Sequence, residues 1–132
     1  MRYLRFIPLF FIILLIYNVM AMTGVNMEGH LFTLSLISGQ SWGPTSGDAL
    51  LALGIIALYI ELLKSTNSGM ATIIDHTLSL FVFIGFLVEF IVIKNAATST
   101  FVILMLMSFL DVLAGFTITV SSARRDVMLE SS

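Results

Sequence analysis

The chain contains no cysteine, only two prolines and few charged residues, and each shortage excludes something. Without cysteine there is no disulfide, no thiolate metal ligand and no cysteine nucleophile, and cysteine usage says nothing about the redox compartment. Charged residues make up 11% of the 132 residues, and the formal net charge is −2. Such a chain lacks the basic footprint of a nucleic-acid-binding protein, so we expect no nucleic-acid partner.

Apolar residues dominate what remains. They form 58% of the chain, and the mean hydropathy is +1.07. Soluble domains have about 45–50% apolar and about 25% charged residues, and a short chain has too little interior to hide more. The length suits one domain, residues 1–132. We therefore predict an all-α fold, an integral membrane bundle of four helices with the lipid bilayer as its solvent.

Four apolar runs, separated by polar turns and one longer loop, predict the four helices. A membrane-spanning helix needs about 20 apolar residues, with a range of about 17–25, and the last two runs meet this length easily. The second run is the weakest, because it is short and carries Glu61 near its end. The predicted helices cover about 6–22, 48–64, 73–93 and 100–121, with an outer loop at 24–47.

The basic residues predict the orientation, because Lys and Arg gather on the cytoplasmic side of membrane proteins. With four crossings only Lys94 falls outside, so both termini are predicted in the cytoplasm and the compartment is predicted to be the cell inner membrane. The first run also fits a cleaved signal peptide, with Val19-Met20-Ala21 as the cleavage pattern. Its length favours a retained helix, and the alternative stays open. The basic residues predicted inside are Arg2, Arg5, Lys64, Arg124 and Arg125.

The connections between the runs differ in character. Residues 30–37 alternate partly between apolar and polar, which suits a short strand or an interfacial segment. Residues 38–44 read as a turn that places Trp42 at the lipid headgroups. The connections at 65–69 and 95–99 are short, and short connections predict that successive helices pack side by side.

Among the ionisable residues inside the apolar runs, Asp111 is the strongest candidate for a function. Burying an acidic side chain in the middle of a membrane span costs free energy, so such a residue is a candidate for function. It belongs to a small and polar stripe at helical spacing, which must face another helix because lipid would leave its polar groups unpaired. A neutral or hydroxyl-bonded Asp111 that locks the packing is the competing interpretation. The stripe consists of Ser108, Asp111, Gly115, Thr119 and Ser122.

Three further ionisable residues, Glu61, Asp75 and His76, are predicted to share the inner rim. Two carboxylates and an imidazole could hold zinc or manganese, although one histidine without fixed ligand spacing is a weak metal signal. The alternative is a pairing network, in which Glu61 meets Lys64 three residues on. Thr72-x-x-Asp75 also resembles a capping box at the start of the third helix.

Glu89 completes a possible series of acids. It follows Asp75 by four helical turns on nearly the same face, about 21 Å along the axis at 1.5 Å per residue, and an ion pair with Lys94 is its simplest role. Together with Glu61 and Asp111 it places carboxylates at inner, middle and outer depths, as a proton or cation path requires. Ser108 and Thr119 belong to the same candidate path.

The sequence carries no catalytic signature. A nucleophile elbow, a His-Glu-x-x-His zinc site, a phosphate-binding glycine loop and a dinucleotide fingerprint are all missing. We therefore expect no enzymatic activity and no cofactor.

Four segments, 59–66, 73–76, 111–117 and 123–126, carry a resemblance that covers about residues 47–126. They look like segments of a family of small bacterial inner-membrane proteins with four transmembrane helices and no known activity. That resemblance implies that the polar positions and the inner rim are the family-like parts. A non-catalytic accessory or assembly subunit, or a small homo-oligomer, is the first functional hypothesis, with other membrane subunits or a second copy as partners. A proton- or cation-translocating protein is the alternative, and a phage holin-like protein ranks last.

Overall fold

The computed structural model describes residues 7–66 and 70–131, and this part of the chain is mostly helical. Two very short strands and one 3-10 turn, Lys94–Ala96, accompany four helices. The strands are β1 (Leu34–Ser35) and β2 (Ser41–Trp42), which pair antiparallel. The helices are α1 (Leu9–Met22), α2 (Ser46–Ser65), α3 (Met70–Val92) and α4 (Ser99–Ser131).

Three helices are long and apolar enough to cross a membrane. The spans are Ser46–Ser65, Ile73–Val92 and Ser99–Ile118, each of 20 residues, or about 30 Å at 1.5 Å per residue. The first helix is apolar but shorter, at 14 residues, or about 21 Å. It starts at Leu9, with Pro8 in the cap position, so within the described residues three helices, rather than the predicted four, meet the length requirement. Arg2, Arg5 and Phe6 lie outside the described residues.

The helix boundaries differ from the predicted ones where capping and polar sequence intervene. A capping box starts α2 early: the Thr45 side chain accepts from the Asp48 backbone, and the Asp48 carboxylate accepts from Thr45 N–H, both at 3.0 Å. At the other extreme, α4 continues through the polar tail to Ser131 instead of ending at 121. A hydrophobic run marks only the apolar part of a helix, so a helix that continues into polar residues extends beyond the run.

The helices form a square in which α4 packs along α2 and α3, while α1 lies against α2 and α3 from the other side. The end that carries the α2–α3 connection is called the turn end, and the end that carries residues 23–45 and Lys94–Ala96 is called the loop end. The short 95–99 connection joins packed neighbours, as predicted. The prediction for 65–69 was wrong, because α2 and α3 occupy opposite corners with little direct contact.

Small residues bring α2 and α4 close together. A Cβ on Gly54 would lie 2.9 Å from both Leu104 Cδ2 and Met107 Sδ, so α4 side chains fill the space that glycine leaves. Ala57, one turn on, is also buried. Small residues at an interface allow two helices to approach closely.

The apolar core occupies the half of the bundle toward the loop end. Phe101 is fully buried, and its ring lies 4.9 Å from Tyr17 and 5.3 Å from Phe86. The Tyr17 hydroxyl donates to the carbonyl of Asn95 at 2.8 Å, which ties α1 to the α3–α4 connection. The α1 helix therefore reaches from one end of the core to the other despite its short length.

The loop between α1 and α2 is a small hairpin. Gly24, at φ +82, ends α1 in a left-handed turn in which Val25 N–H donates to Met20 O, an arrangement that satisfies the last carbonyls of a helix. The strand suggested within 30–37 is present at Leu34–Ser35, while the segment predicted as a turn contains β2. The turn between the strands is 36–40.

Candidate functional site

The polar side chains buried in the bundle gather toward the turn end. They come from three helices, and none is more than 4% exposed. Polar groups are buried at a cost unless they are hydrogen-bonded, so each position in this group needs a partner or a purpose. We call this set the polar cluster: Glu61 and Ser65 on α2, Asp75, His76 and Ser79 on α3, and Ser108 and Asp111 on α4.

Lys64 connects the two carboxylates at the edge of the polar cluster. Its ammonium lies 3.1 Å from Glu61 Oε1 and 3.2 Å from Asp75 Oδ1, and it also donates to the Ile7 carbonyl at 3.2 Å. The ammonium is only partly exposed, whereas both carboxylates are buried. A single cation thus joins α2 to α3 and to the chain just before α1.

This geometry bears on the two interpretations left open for Glu61, Asp75 and His76. Within 7–66 and 70–131, no group of three or more acidic, histidine or cysteine side chains is arranged to hold a metal ion. Lys64 instead occupies the position between the carboxylates. The ion-pair network is therefore what the structure contains.

Glu61 has a second role that the sequence did not reveal. Its Oε1 accepts a hydrogen bond from Leu9 N–H at 2.8 Å, and Pro8 supplies no side-chain cap for α1. The first backbone N–H groups of a helix lack partners and carry partial positive charge. The Glu61 carboxylate of α2 therefore caps the N-terminus of the neighbouring helix α1.

The capping box predicted for Thr72 and Asp75 was wrong. The α3 helix already begins at Met70, so Thr72 lies inside it and cannot occupy the cap position. Asp75 is buried and turned toward Lys64. The Thr-x-x-Asp spacing that forms a real capping box belongs to Thr45 and Asp48.

Asp111, Ser108 and His76 form the unpaired part of the polar cluster. Asp111 Oδ2, Ser108 Oγ and His76 Nε2 are buried without a hydrogen-bond partner among the described residues. The nearby Ser79 hydroxyl donates to the Asp75 carbonyl at 2.9 Å. Unpaired buried polar atoms are rare in native proteins and call for an explanation.

The described side chains of the α4 stripe are buried in the bundle, and Gly115 lies against α3. A Cβ on Gly115 would lie 2.6 Å from Cε1 and 2.7 Å from Nδ1 of His76, so the imidazole fills the notch that glycine leaves. Ser108 and Asp111 are buried on the same stripe. The side chains of Thr119 and Ser122 lie outside the described ones.

Glu89 does not join the polar cluster. Both of its carboxylate oxygens accept from Asn18 Nδ2 of α1 at 3.1 Å, and the ion pairs among the described residues are those of Lys64 rather than one with Lys94. Between Ser79 and Glu89, the buried residues of α3 are Val82 and Phe86. The predicted ladder of acids is interrupted there by an apolar layer.

Three positions of this site escaped sequence analysis. Lys64 was predicted as a partner of Glu61 and as a basic residue on the inner side, but not as a partner of Asp75, and neither Ser79 nor Asn18 was considered. Ser79 lies four residues after Asp75, the helical spacing at which side chains share a face, so this one could have been found. Asn18 and Glu89 meet only because α1 and α3 pack together.

Comparison with protein-family models, with curated proteins and with solved structures found no match to this chain.

Proposed function

We propose that this chain is a small, non-catalytic integral membrane protein that acts as an accessory or assembly subunit of a bacterial inner-membrane complex, or as a small homo-oligomer. One observation carries the proposal: the three long helices turn large apolar side chains outward and polar ones inward. Such a surface suits lipid or an apolar partner. Examples of outward side chains, all at least 45% exposed, are Ile55, Tyr59, Phe81, Ile91, Leu110 and Phe116.

The charge distribution supports an orientation with the turn end in the cytoplasm. Lys64 lies at that end, and the polar tail that carries Arg124 follows α4 beyond the same end. Lys94 lies at the loop end. Basic residues concentrate on the cytoplasmic side, so this orientation has both termini inside.

The extension of α4 supports a subunit role. The apolar span ends at Ile118, but the helix continues to Ser131, which adds about 20 Å at 1.5 Å per residue. A helix of that length beyond the bilayer offers a surface to a partner on the cytoplasmic side. The segment carries both signs of charge, in Arg124, Arg125, Asp126 and Glu130.

Co-purification from native membranes tests this proposal. The full chain, extracted in mild detergent, is expected to retain a stoichiometric partner or to run as a defined oligomer. A chain ending at Val120 should insert equally well but lose that partner. A monomer without partners, from both the full and the shortened chain, would contradict the proposal.

A proton- or cation-translocating protein is the second candidate, and the three unpaired atoms on α3 and α4 favour it. Buried acids and histidines facing a bundle interior are the usual elements of proton paths. The apolar layer at Val82 and Phe86 argues for the subunit role, because the polar cluster does not reach Glu89.

Flux through reconstituted vesicles distinguishes the two candidates. If the second candidate holds, the wild type conducts protons or cations, Asp111→Asn abolishes the flux, and Glu28→Gln, which alters an exposed acid at the loop end, leaves it unchanged. Under the subunit proposal we expect no flux above that of empty vesicles from any of the three. Flux that persists in Asp111→Asn would remove Asp111 from any path.

A further inference from the structure

The loop between α1 and α2 leaves an unusual surface uncovered. Residues 31–47 contain no Asp, Glu, Lys or Arg, yet they expose a series of large apolar side chains. Ile37, at the tip, is fully exposed. We call residues 31–42 the outer hairpin; its other exposed apolar side chains are Leu31, Phe32, Leu34, Leu36 and Trp42.

The outer hairpin is a defined structure. Leu34 pairs with Trp42 in the β1–β2 register, and the Phe32 and Trp42 rings meet edge to face at 6.5 Å. The turn closes with Leu36 N–H donating to Gln40 O at 2.8 Å. Gly39 takes φ +90, a conformation that favours glycine. The apolar side chains are therefore held in fixed positions on a paired backbone.

Hydrogen bonds fasten the base of the outer hairpin to the loop end of the helices. The ring of His30 is 2.8 Å from the Gly43 carbonyl through Nδ1, and Leu31 N–H donates to Pro44 O at 2.8 Å. Gly47 N–H donates to Met27 O at 2.9 Å in the first turn of α2. The hairpin base thus adjoins the point where α2 begins its apolar span.

We propose that the outer hairpin inserts into the boundary between headgroups and acyl chains of the outer leaflet, with a phospholipid surface as its occupant. The inference rests on the membrane location in the proposed function. Two observations favour lipid: the segment is free of charge, and its base adjoins the first turn of α2, one of the helices long and apolar enough to cross a membrane. Trp is enriched at this depth, because its ring is apolar and its N–H is polar.

The absence of charge in the hairpin specifies the kind of lipid surface. Anionic lipids attract basic segments, and this hairpin offers none. Insertion should therefore proceed in purely zwitterionic phosphatidylcholine and should not change with salt, since screening acts on charges.

Trp42 is the only tryptophan of the chain, so its fluorescence reports the depth of the hairpin directly. In the full chain reconstituted into phosphatidylcholine vesicles, we expect lipids brominated near the headgroup to quench most of the emission. Lipids brominated near the chain terminus should quench less, and aqueous iodide should quench little. Ile37→Glu, which places a charge at the tip, should shift the emission to the red and restore quenching by iodide.

A matched variant distinguishes failure of the hairpin inference from failure of the proposed membrane location. Trp42→Phe combined with Tyr59→Trp moves the probe to an outward position of α2, which is 64% exposed and should be quenched best by the deep bromines. Quenching of this variant, together with a Trp42 that responds to iodide only, would overturn the hairpin inference alone. If bromines quench neither probe, the membrane location fails. If Trp42 is protected from both quenchers, and if this protection increases with the protein-to-lipid ratio, a second copy covers the hairpin. That result would overturn the inference.

Discussion

Replacing Lys64 with methionine is expected to lower the free energy of unfolding by about 3–5 kcal/mol, the usual cost of removing one partner of a buried ion pair. The Glu61 and Asp75 side chains are 1% and 4% exposed, and the Lys64 ammonium lies between them. Without it, two buried carboxylates face each other with no cation. The partial exposure of Lys64 itself, 22%, argues for the lower half of that range. Unfolding in mixed micelles, followed by circular dichroism, measures the change.

The same measurement on other variants isolates the ion pairs as the cause. Lys94→Met removes an exposed lysine at the loop end and should change the free energy of unfolding by less than about 0.5 kcal/mol. Adding Glu61→Gln and Asp75→Asn to Lys64→Met should recover most of the loss, because no unpaired charge then remains buried. Equal effects of Lys64→Met and Lys94→Met would contradict the network.

Gly115→Ala should destabilise the bundle by about 1–3 kcal/mol, the usual cost of overpacking. The added methyl would meet the ring of His76, which is buried and 4% exposed, so the ring has little room to withdraw. This cost opposes the gain of up to about 1 kcal/mol that leaving glycine brings to a helix interior. Unfolding in the same micelles measures the change in the free energy of unfolding, and we expect a net destabilisation because the steric clash costs more than the loss of glycine gains.

Two further variants test the cause of that effect. At Gly85 on α3 the nearest atom to an added Cβ is Leu14 Cδ2, at 3.7 Å, which is ordinary contact. Gly85→Ala should therefore be neutral or stabilising by up to about 1 kcal/mol. Combining His76→Ala with Gly115→Ala should remove the penalty of the second substitution. An unchanged penalty in that double variant would show that the imidazole does not fill the notch.

The sequence was a good guide wherever helical periodicity decides the outcome. Asp111 and Gly115 share a face because they lie four residues apart; Asp111 is buried, and Gly115 lies against His76 of α3. Gly54 and Ala57 also share a face by their spacing, and Gly54 packs against α4. Patterns of this kind depend only on the geometry of one helix.

Contacts between two helices could not be predicted from the sequence of either helix alone. The cap that Glu61 gives to Leu9 joins residues that are 52 positions apart, and no local signal marks it. The diagonal placement of α2 and α3 also overrides the expectation from their short connection. Glu89 paired with Asn18 for the same reason, because the neighbour of α3 at that level is α1.

The orientation of the bundle in the membrane is the central claim, and single-cysteine labelling tests it most directly. The chain contains no cysteine, so each introduced thiol is the only one that a membrane-impermeant maleimide can label. Glu28→Cys, at an exposed position of the loop end outside the outer hairpin, is predicted to label in spheroplasts, whose inner membrane is intact and accessible. Ser131→Cys, at the end of α4, should label only after the membrane is opened. Labelling of both thiols before the membrane is opened, or the reverse pattern, would contradict the account.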